Sequence, residues 1–290
     1  MTGRAYGILC GVTVAALWGS AFSAIEVALS AFNPLTLVFL RLIIAAAALL
    51  AFGLWKRIPL PRLRDLPRII GCAAVGMTGY QLLLNLGEVH VAAGIASMII
   101  AAAPLVAALV VRRNRAECGS RQWWWASAVC AAGVVVVCID ATGAAPLLAV
   151  GALVAAAIMY GLYGPLLKPL LAHHTGLTVT THITVAAAVM SAPLVLLNPM
   201  SIDDMTVLGW GAAIYLGVAP SAVAFLLWAE SLRRLRTTET TALLFLVPVF
   251  GMCIALLTTG LTLTPTAAAG SVLVLVGLYF VLRAPKAGAP

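Results

Sequence analysis

The sequence predicts an all-α polytopic membrane protein whose ten transmembrane helices form two inverted five-helix repeats. Three observations support this fold class. The composition is too apolar for a soluble domain. Ten apolar segments of membrane-spanning length follow one another along the chain. The two halves of the chain also align with each other in nearly one register.

The composition excludes several classes of protein. Of the 290 residues, 63% are apolar and 9% are charged, and the mean hydropathy is +1.10. Soluble domains contain about 25% charged residues, so a soluble enzyme, a nucleic-acid-binding protein and a disordered chain are excluded. A transmembrane β-barrel would alternate apolar and polar residues, whereas the segment 42–54 is apolar throughout.

The ten apolar segments are separated by turn residues, and each is long enough to form a membrane helix. The predicted helices cover residues 6–29, 35–55, 69–90, 94–111, 122–139, 147–168, 177–197, 207–230, 239–258 and 264–283. The first segment is too long for the apolar region of a cleaved signal peptide. We therefore interpret it as the first membrane span.

The basic residues predict the orientation of the chain in the membrane. Of the 17 Lys and Arg residues, all except Arg41 lie in the tails, loops and helix ends of one side, provided that the number of spans is even. Because basic loops remain in the cytoplasm, both termini are expected to be cytoplasmic. The expected location is the bacterial inner membrane, as a multi-pass protein surrounded by lipid.

An internal repeat predicts two domains, residues 1–145 and 146–290. A shift of 142 residues, which becomes 144 after a slip near Arg233, matches Trp18 with Tyr160, Gly19 with Gly161, Glu26 with Lys168, Glu88 with Glu230, Pro104 with Pro248 and Gly133 with Gly277. Each half holds five helices, an odd number, so the second half must cross the membrane in the opposite orientation. In secondary transporters with this architecture, the substrate site lies near the midplane between the halves.

Three motifs resemble those of one transporter superfamily. The first helix contains Leu17-Trp18-Gly19-Ser20-Ala21-Phe22, the second contains Arg41, and the fourth contains Ala93-Gly94-Ile95-Ala96-Ser97 before Pro104. In these motifs the chain resembles the EamA-type drug/metabolite transporter superfamily, and within it is most similar to YddG-type exporters of aromatic amino acids. The second half departs from the first motif, with Tyr160-Gly161-Leu162-Tyr163 in its place. The resemblance implies export of aromatic and other neutral amino acids.

Polar and aromatic side chains near the middle of the spans are candidate substrate-binding residues, namely Trp18, Tyr80, Gln81, Tyr160, Tyr163 and Ser221. In the third helix, Thr78, Gln81, Asn85 and Glu88 recur at helical spacing and share one face. Because hydrocarbon penalises such groups, this face predicts a water-filled cavity, with Asn85 as a further substrate-binding residue. Hydrogen bonding between neighbouring helices is the alternative.

The fourth and ninth predicted helices carry matching prolines. Ser97 and Pro104 share one face of the fourth helix, and Phe245 and Pro248 share the corresponding face of the ninth. Since proline removes a backbone hydrogen bond and can kink a helix, Pro104 and Pro248 are predicted gating residues. Ser97 and Phe245 are predicted to bind substrate. The alternative is that the prolines have no mechanical role, because proline is common in membrane helices.

One face of the eighth predicted helix carries Ser221, Phe225 and Trp228. This face predicts a second wall of the substrate cavity. Trp228 also suits an anchor at the membrane interface, because it lies near one end of the helix.

Three charged residues, Glu26, Arg41 and Glu88, lie inside predicted spans toward their outer ends. An intramembrane arginine is a functional candidate, although an ion pair of Arg41 with Glu26 or Glu88 is equally consistent with the sequence. No cluster or spacing of ligand residues predicts a metal site, and no cofactor is expected.

The chemistry of the residues near the middle of the spans distinguishes an enzyme, a phosphate carrier, a drug antiporter and an amino-acid exporter. The chain contains no hydrolase or P-loop motif, so the sequence predicts no enzyme. A phosphate carrier would place cations near the midplane, and a cationic-drug antiporter would place a carboxylate there, but the central residues are neutral. We therefore expect alternating-access export of aromatic or neutral amino acids, facilitated rather than strongly proton-coupled, without nucleic acid or an obligate protein partner. The alternatives are proton antiport of other metabolites or drugs, and a membrane-embedded enzyme.

Overall fold

The structure, a computed structural model, describes residues 3–114, 117, 119–139, 146–197, 206–259 and 265–284. These residues form ten helical spans: α1 (Gly3–Leu29), α2 (Pro34–Trp55), α3 (Leu63–Glu88), α4 (Ala93–Val111), α5 (Arg121–Ile139), α6 (Leu147–Leu171), α7 (Gly176–Leu197), α8 (Val207–Arg234), α9 (consecutive segments Thr237–Ala242, Leu243–Leu246 and Val247–Thr259) and α10 (Pro265–Arg283). Seven of them, α1–α4 and α6–α8, are long and apolar enough to cross a bilayer, judged by length and composition alone. The predicted all-α polytopic fold is confirmed, with every predicted helix end within two turns of the observed one.

The helices pack as two inverted repeats require. α2 packs against its own counterpart α7, and α5 packs against its own counterpart α10. α1 packs against α8 and α9, and its counterpart α6 packs against α3 and α4. A pseudo-twofold axis relates these contacts, so the core is shared between the two halves. The predicted boundary between residues 145 and 146 adjoins residues outside the described ranges and stays a prediction.

The counterpart helices α2 and α7 are capped at their N-termini in the same way. The Asn33 side chain caps α2 by accepting a hydrogen bond from the Thr36 backbone N–H at 2.8 Å. At the equivalent place, the Thr175 hydroxyl accepts from the Thr178 backbone N–H at 3.2 Å. Such caps satisfy backbone donors that have no partner within the helix.

Interruptions of the helices also occur in pairs. α3 contains a π-helical segment at Ala74–Gly79, and α8 contains one at Gly217–Val223. α4 breaks at residues 101–102, just before Pro104, and α9 narrows to a 3₁₀ segment at Leu243–Leu246, just before Pro248. The predicted distortion at both prolines is therefore present, while their gating role stays a prediction.

Gly19 and Gly161 allow close crossings between the repeats. A Cβ atom added to Gly19 in α1 would lie 2.8 Å from the backbone N of Gly251 and 2.9 Å from the carbonyl O of Val247, both in α9. A Cβ atom added to Gly161, the counterpart in α6, would lie 2.7 Å from the carbonyl O of Ala103 in α4. Each distance is shorter than a real contact, so the backbones approach closely only because no side chain intervenes.

Replacing Gly161 with alanine should therefore destabilise the protein by about 1–3 kcal/mol, because α6 must move away from α4. Gly164→Ala, one turn along the same helix, is the matched control. Its added Cβ would make ordinary contacts at 3.6 Å or more, so stability should be unchanged or slightly raised by the better helix propensity of alanine. Melting temperatures of the purified variants test this, and equal values for the two would contradict the close crossing.

Candidate functional site

Six aromatic residues from four helices meet where the two repeats pack together. This central aromatic cluster consists of Trp18 in α1, Tyr80 in α3, Tyr160 and Tyr163 in α6, and Phe225 and Trp228 in α8. The counterparts Trp18 and Tyr160 meet edge to face, with ring centroids 5.2 Å apart. Trp18 therefore contacts its own repeat mate, which places the cluster at the pseudo-twofold axis.

The rings form a continuous network. Trp18 lies 5.3 Å from Phe225 and 5.4 Å from Trp228, measured between centroids. Tyr160 lies 4.8 Å from Tyr80. Such edge-to-face and tilted pairs are the preferred geometry of aromatic rings. In this conformation the cluster fills the centre of the molecule with side chains.

The π-helical segments position the cluster. In α8 the carbonyl of Pro220 accepts a hydrogen bond from Trp18 Nε1 at 2.9 Å. In α3 the segment places Gly76 against Tyr163, where an added Cβ atom would overlap the tyrosine ring. Single-turn π segments inside α-helices occur frequently at functional sites. Both segments thus make room for, or hold, the aromatic side chains of the opposite repeat.

Several buried polar atoms at or beside this cluster have no hydrogen-bond partner among the described residues. They include Tyr160 Oη, Tyr163 Oη, Ser221 Oγ, Trp228 Nε1 and both amide atoms of Gln81. These side chains are at most 3% exposed. Buried polar groups are nearly always paired, so this concentration marks a place where a polar ligand would be stabilised.

The polar stripe on α3 divides among different neighbours. Thr78 donates to the carbonyl of Ala187 in α7 at 3.1 Å. Asn85 accepts from Arg41 in α2 and donates to the carbonyl of Pro34, both at 3.4 Å. Thr78 and Asn85 therefore join neighbouring helices, and the structure leaves Gln81 and Glu88 as the unpaired members of the stripe.

Two predicted substrate-binding residues, Ser97 and Phe245, make contacts other than those with the central aromatic cluster. Ser97 Oγ donates to the carbonyl of Gly94 in its own helix at 2.6 Å. Phe245 packs in a separate apolar cluster with side chains of α4, α5 and α10, including Met98, Cys130 and Leu278. Periodicity groups residues on one face of a helix but does not show what that face packs against, so their role in substrate binding stays a prediction.

Phe225 and Trp228 complete the central aromatic cluster. Both side chains are buried, with Trp228 fully so, and an interfacial anchor would instead remain near the headgroups. Their shared helical face with Ser221 was the sequence signal that indicated this position.

The charged candidates do not form the ion pair considered from the sequence. Arg41 is 3% exposed and bonds to Asn85, and among the described residues it makes no salt bridge with Glu26 or Glu88. Instead, both residues line a cavity of about 780 Å³ at the far end of α1 and α3. We call this cavity the vestibule; its lining includes Glu26, Asn33, Pro34, Glu88, His90 and Ala93.

The opposite end of the bundle, which we call the basic end, is held together by Lys168 and Glu117. Lys168 Nζ donates to the carbonyls of Leu232 and Leu235 at the end of α8 and lies 3.5 Å from Glu117 Oε1. Glu117 Oε2 accepts from the backbone N–H and the hydroxyl of Thr237 at 2.6 and 2.7 Å. One ion pair thus joins α6, α8, α9 and the segment between α4 and α5.

The two ends therefore differ although their residues correspond. Glu26, the repeat mate of Lys168, is exposed in the vestibule, whereas Lys168 closes the basic end. In this conformation the vestibule is a cavity at one end of the pseudo-symmetric core, and the contacts of Lys168 and Glu117 join the helices at the other end. Among the described residues, no group of His, Cys, Asp or Glu side chains is arranged to hold a metal ion.

Two inverted repeats around a buried polar and aromatic centre are typical of membrane transporters. The model of the EamA-like transporter family matches residues 5–139 and 147–283. The chain belongs to this family and is a multi-pass membrane transporter.

Known proteins of similar length support this assignment. A "Probable terminal-alkyne amino-acid exporter" of Streptantibioticus cattleyicolor is 35% identical over 266 residues, covering 92% of this chain and 90% of that protein. An "Uncharacterized transporter" of Archaeoglobus fulgidus is 27% identical, with 95% and 98% covered. A protein of known crystal structure shares the fold at 20% identity, with a TM-score of 0.82 over 98% of this chain and 99% of that one.

Proposed function

We propose that the protein exports neutral amino acids, including aromatic ones, by alternating access. The central aromatic cluster carries this proposal, because it combines ring surfaces with unpaired hydrogen-bonding groups and contains no formal charge. Ring surfaces bind an apolar or aromatic side chain by stacking, and the hydroxyl, amide and indole groups hydrogen-bond its polar atoms. The relative from Streptantibioticus cattleyicolor, named as an amino-acid exporter, supports the same substrate class.

The proposed orientation places the basic end in the cytoplasm of a bacterial inner membrane. Arg4, Arg234 and Arg236 lie there, where Arg4 and Arg236 contact Glu239 and Arg234 stacks on Tyr6. By the positive-inside rule, a basic end is cytoplasmic. The vestibule then faces outward, and the conformation is the one from which an exported amino acid leaves.

Exchange of the two repeat conformations would open the basic end. In inverted-repeat transporters, each half adopts the conformation of the other about a fixed site. Here this requires Lys168 to leave the α8 carbonyls and the vestibule to close around Glu26 and Glu88. The breaks before Pro104 and Pro248 are the proposed bending points.

Radiolabelled L-tryptophan exchange across liposomes that contain only this protein tests the proposed function. We expect exchange with tryptophan, phenylalanine or leucine on the opposite side, and none with an organic phosphate or a sugar. Absence of exchange for every neutral amino acid would contradict the proposal.

We further expect exchange to be facilitated, because no carboxylate or histidine lies in the central aromatic cluster to carry a proton. Tryptophan should therefore equilibrate without an imposed pH gradient, and such a gradient should not concentrate it. Accumulation driven by a pH gradient in the wild type and lost in Glu88→Gln would contradict this expectation.

A further inference from the structure

The vestibule is a strongly acidic cavity. Glu26 and Glu88 line it, and none of the lining residues that the structure describes is lysine or arginine. His90 is the remaining titratable residue among them. A cavity lined by two acidic residues attracts cationic groups and raises their local concentration.

Glu88 differs from Glu26 in its surroundings. Both carboxylate oxygens of Glu88 are buried and have no hydrogen-bond partner among the described residues, whereas Glu26 is exposed. A buried carboxylate without donors is costly. At the wall of an open cavity, a ligand with several cationic N–H groups would supply the missing donors.

A second unsatisfied charge lies just behind the same wall. Arg41 is 3% exposed, and its Nε atom has no partner among the described residues. Its guanidinium bonds to Asn85, which in turn bonds to the carbonyl of the vestibule residue Pro34. Asn85 also lies one helical turn before Glu88 in α3. The positive charge is thus separated from the cavity by one side chain.

We propose that the vestibule is a head-group site for amino acids, in which Glu88 binds the α-ammonium group. Arg41 is a positioning residue, because its charge favours a ligand that also carries a carboxylate. A simple amine gains from Glu88 but is repelled by Arg41, and a simple carboxylate is repelled by Glu26 and Glu88. Only a zwitterion complements both charges. The inference rests on the proposed function and assigns to its substrate an exit site distinct from the central aromatic cluster.

Ligands that lack one of the two charged groups provide the test. The Kd values of L-tryptophan, L-leucine, tryptamine and indole-3-propionate are measured with the purified full-length protein by calorimetry. Glu88→Gln should weaken the binding of both amino acids and of tryptamine by about 10- to 100-fold, the effect of one charge-assisted hydrogen-bond set. Indole-3-propionate has no ammonium group, so its binding should be unchanged or tighter, because Glu88→Gln removes a charge that repels its carboxylate.

Glu230→Gln is the matched control, because Glu230 is the repeat mate of Glu88 and pairs with Arg233 and Arg234 outside the vestibule, and its Kd values should change little. Glu88→Asp keeps the charge and should retain a preference for tryptophan over indole-3-propionate, which separates loss of charge from loss of folding. Unchanged amino-acid binding in Glu88→Gln, or equal loss of all four ligands, would overturn the head-group site.

The comparison of L-leucine with L-tryptophan as ligands separates this inference from the proposed function. If leucine binds in a Glu88-dependent way and tryptophan does not bind, the aromatic specificity is wrong and the head-group site stands. If both amino acids exchange across liposomes but binding does not depend on Glu88, the transport function stands and the head-group site is wrong.

Discussion

Replacing Lys168 with methionine should slow amino-acid exchange by at least about tenfold and lower the melting temperature. The substitution keeps an apolar chain of similar length but removes the donors that hold the carbonyls of Leu232 and Leu235. It also leaves the partly buried Glu117 carboxylate without its lysine. Breaking one side of such a pair costs about 2 kcal/mol or more, which shifts the balance between the two conformations by roughly 30-fold.

A double substitution isolates the pair itself. Lys168→Met with Glu117→Gln leaves no unpaired charge, so part of the lost stability should return. Lys56→Met removes a lysine that contacts the Trp55 ring outside the core and should change neither measurement. If Lys168→Met and Lys56→Met behave alike, the basic end is not closed by Lys168.

Replacing Tyr163 with phenylalanine should reduce tryptophan exchange by about tenfold without loss of stability. The ring and its packing against Phe225 remain, but the hydroxyl is lost. Because that hydroxyl is buried and unpaired in the described structure, its removal should leave the melting temperature unchanged or raise it. A single lost hydrogen bond to the substrate corresponds to about 1–1.5 kcal/mol, or about tenfold in binding.

Tyr279→Phe is the matched control for this prediction. Tyr279 is an exposed tyrosine on α10 that packs against Phe280, far in sequence and packing from the central aromatic cluster. Its exchange rate should equal that of the wild type. A fall in both stability and exchange for Tyr163→Phe would show that the hydroxyl has a structural role instead.

The fold followed from the sequence because membrane helices are specified locally. Each span is a long apolar run bounded by turn residues. The alignment of the two halves also matches Gly19 with Gly161, and both glycines make close helix crossings in the structure. The π-helical segments could not be predicted, since Ala74–Gly79 and Gly217–Val223 have no common sequence pattern beyond small residues. Their geometry depends on the side chains of the opposite repeat.

The site was predicted less completely than the fold. Trp18, Tyr80, Tyr160 and Tyr163 were identified by their depth in the spans, and the structure brings them together. Depth and periodicity do not specify the partner helix. Asn85 was therefore expected in a cavity, but it bonds to Arg41 and to the carbonyl of Pro34. The vestibule was also missed, because the connections α1–α2 and α3–α4 both line it, and periodicity does not specify how two connections lie relative to each other.

Protection of a cysteine at position 221 tests the central claim most directly, namely that substrate binds at the aromatic cluster between the repeats. Ser221→Cys and the control Ser127→Cys both replace a buried serine whose hydroxyl is unpaired in the described structure, but Ser127 lies in α5, apart from the central aromatic cluster. The two variants are made in a background in which the six native cysteines are serines. We predict that L-tryptophan slows modification of Ser221→Cys by a small thiol reagent and leaves Ser127→Cys unchanged. Equal modification of Ser221→Cys with and without tryptophan, in protein that exchanges tryptophan, would contradict the account.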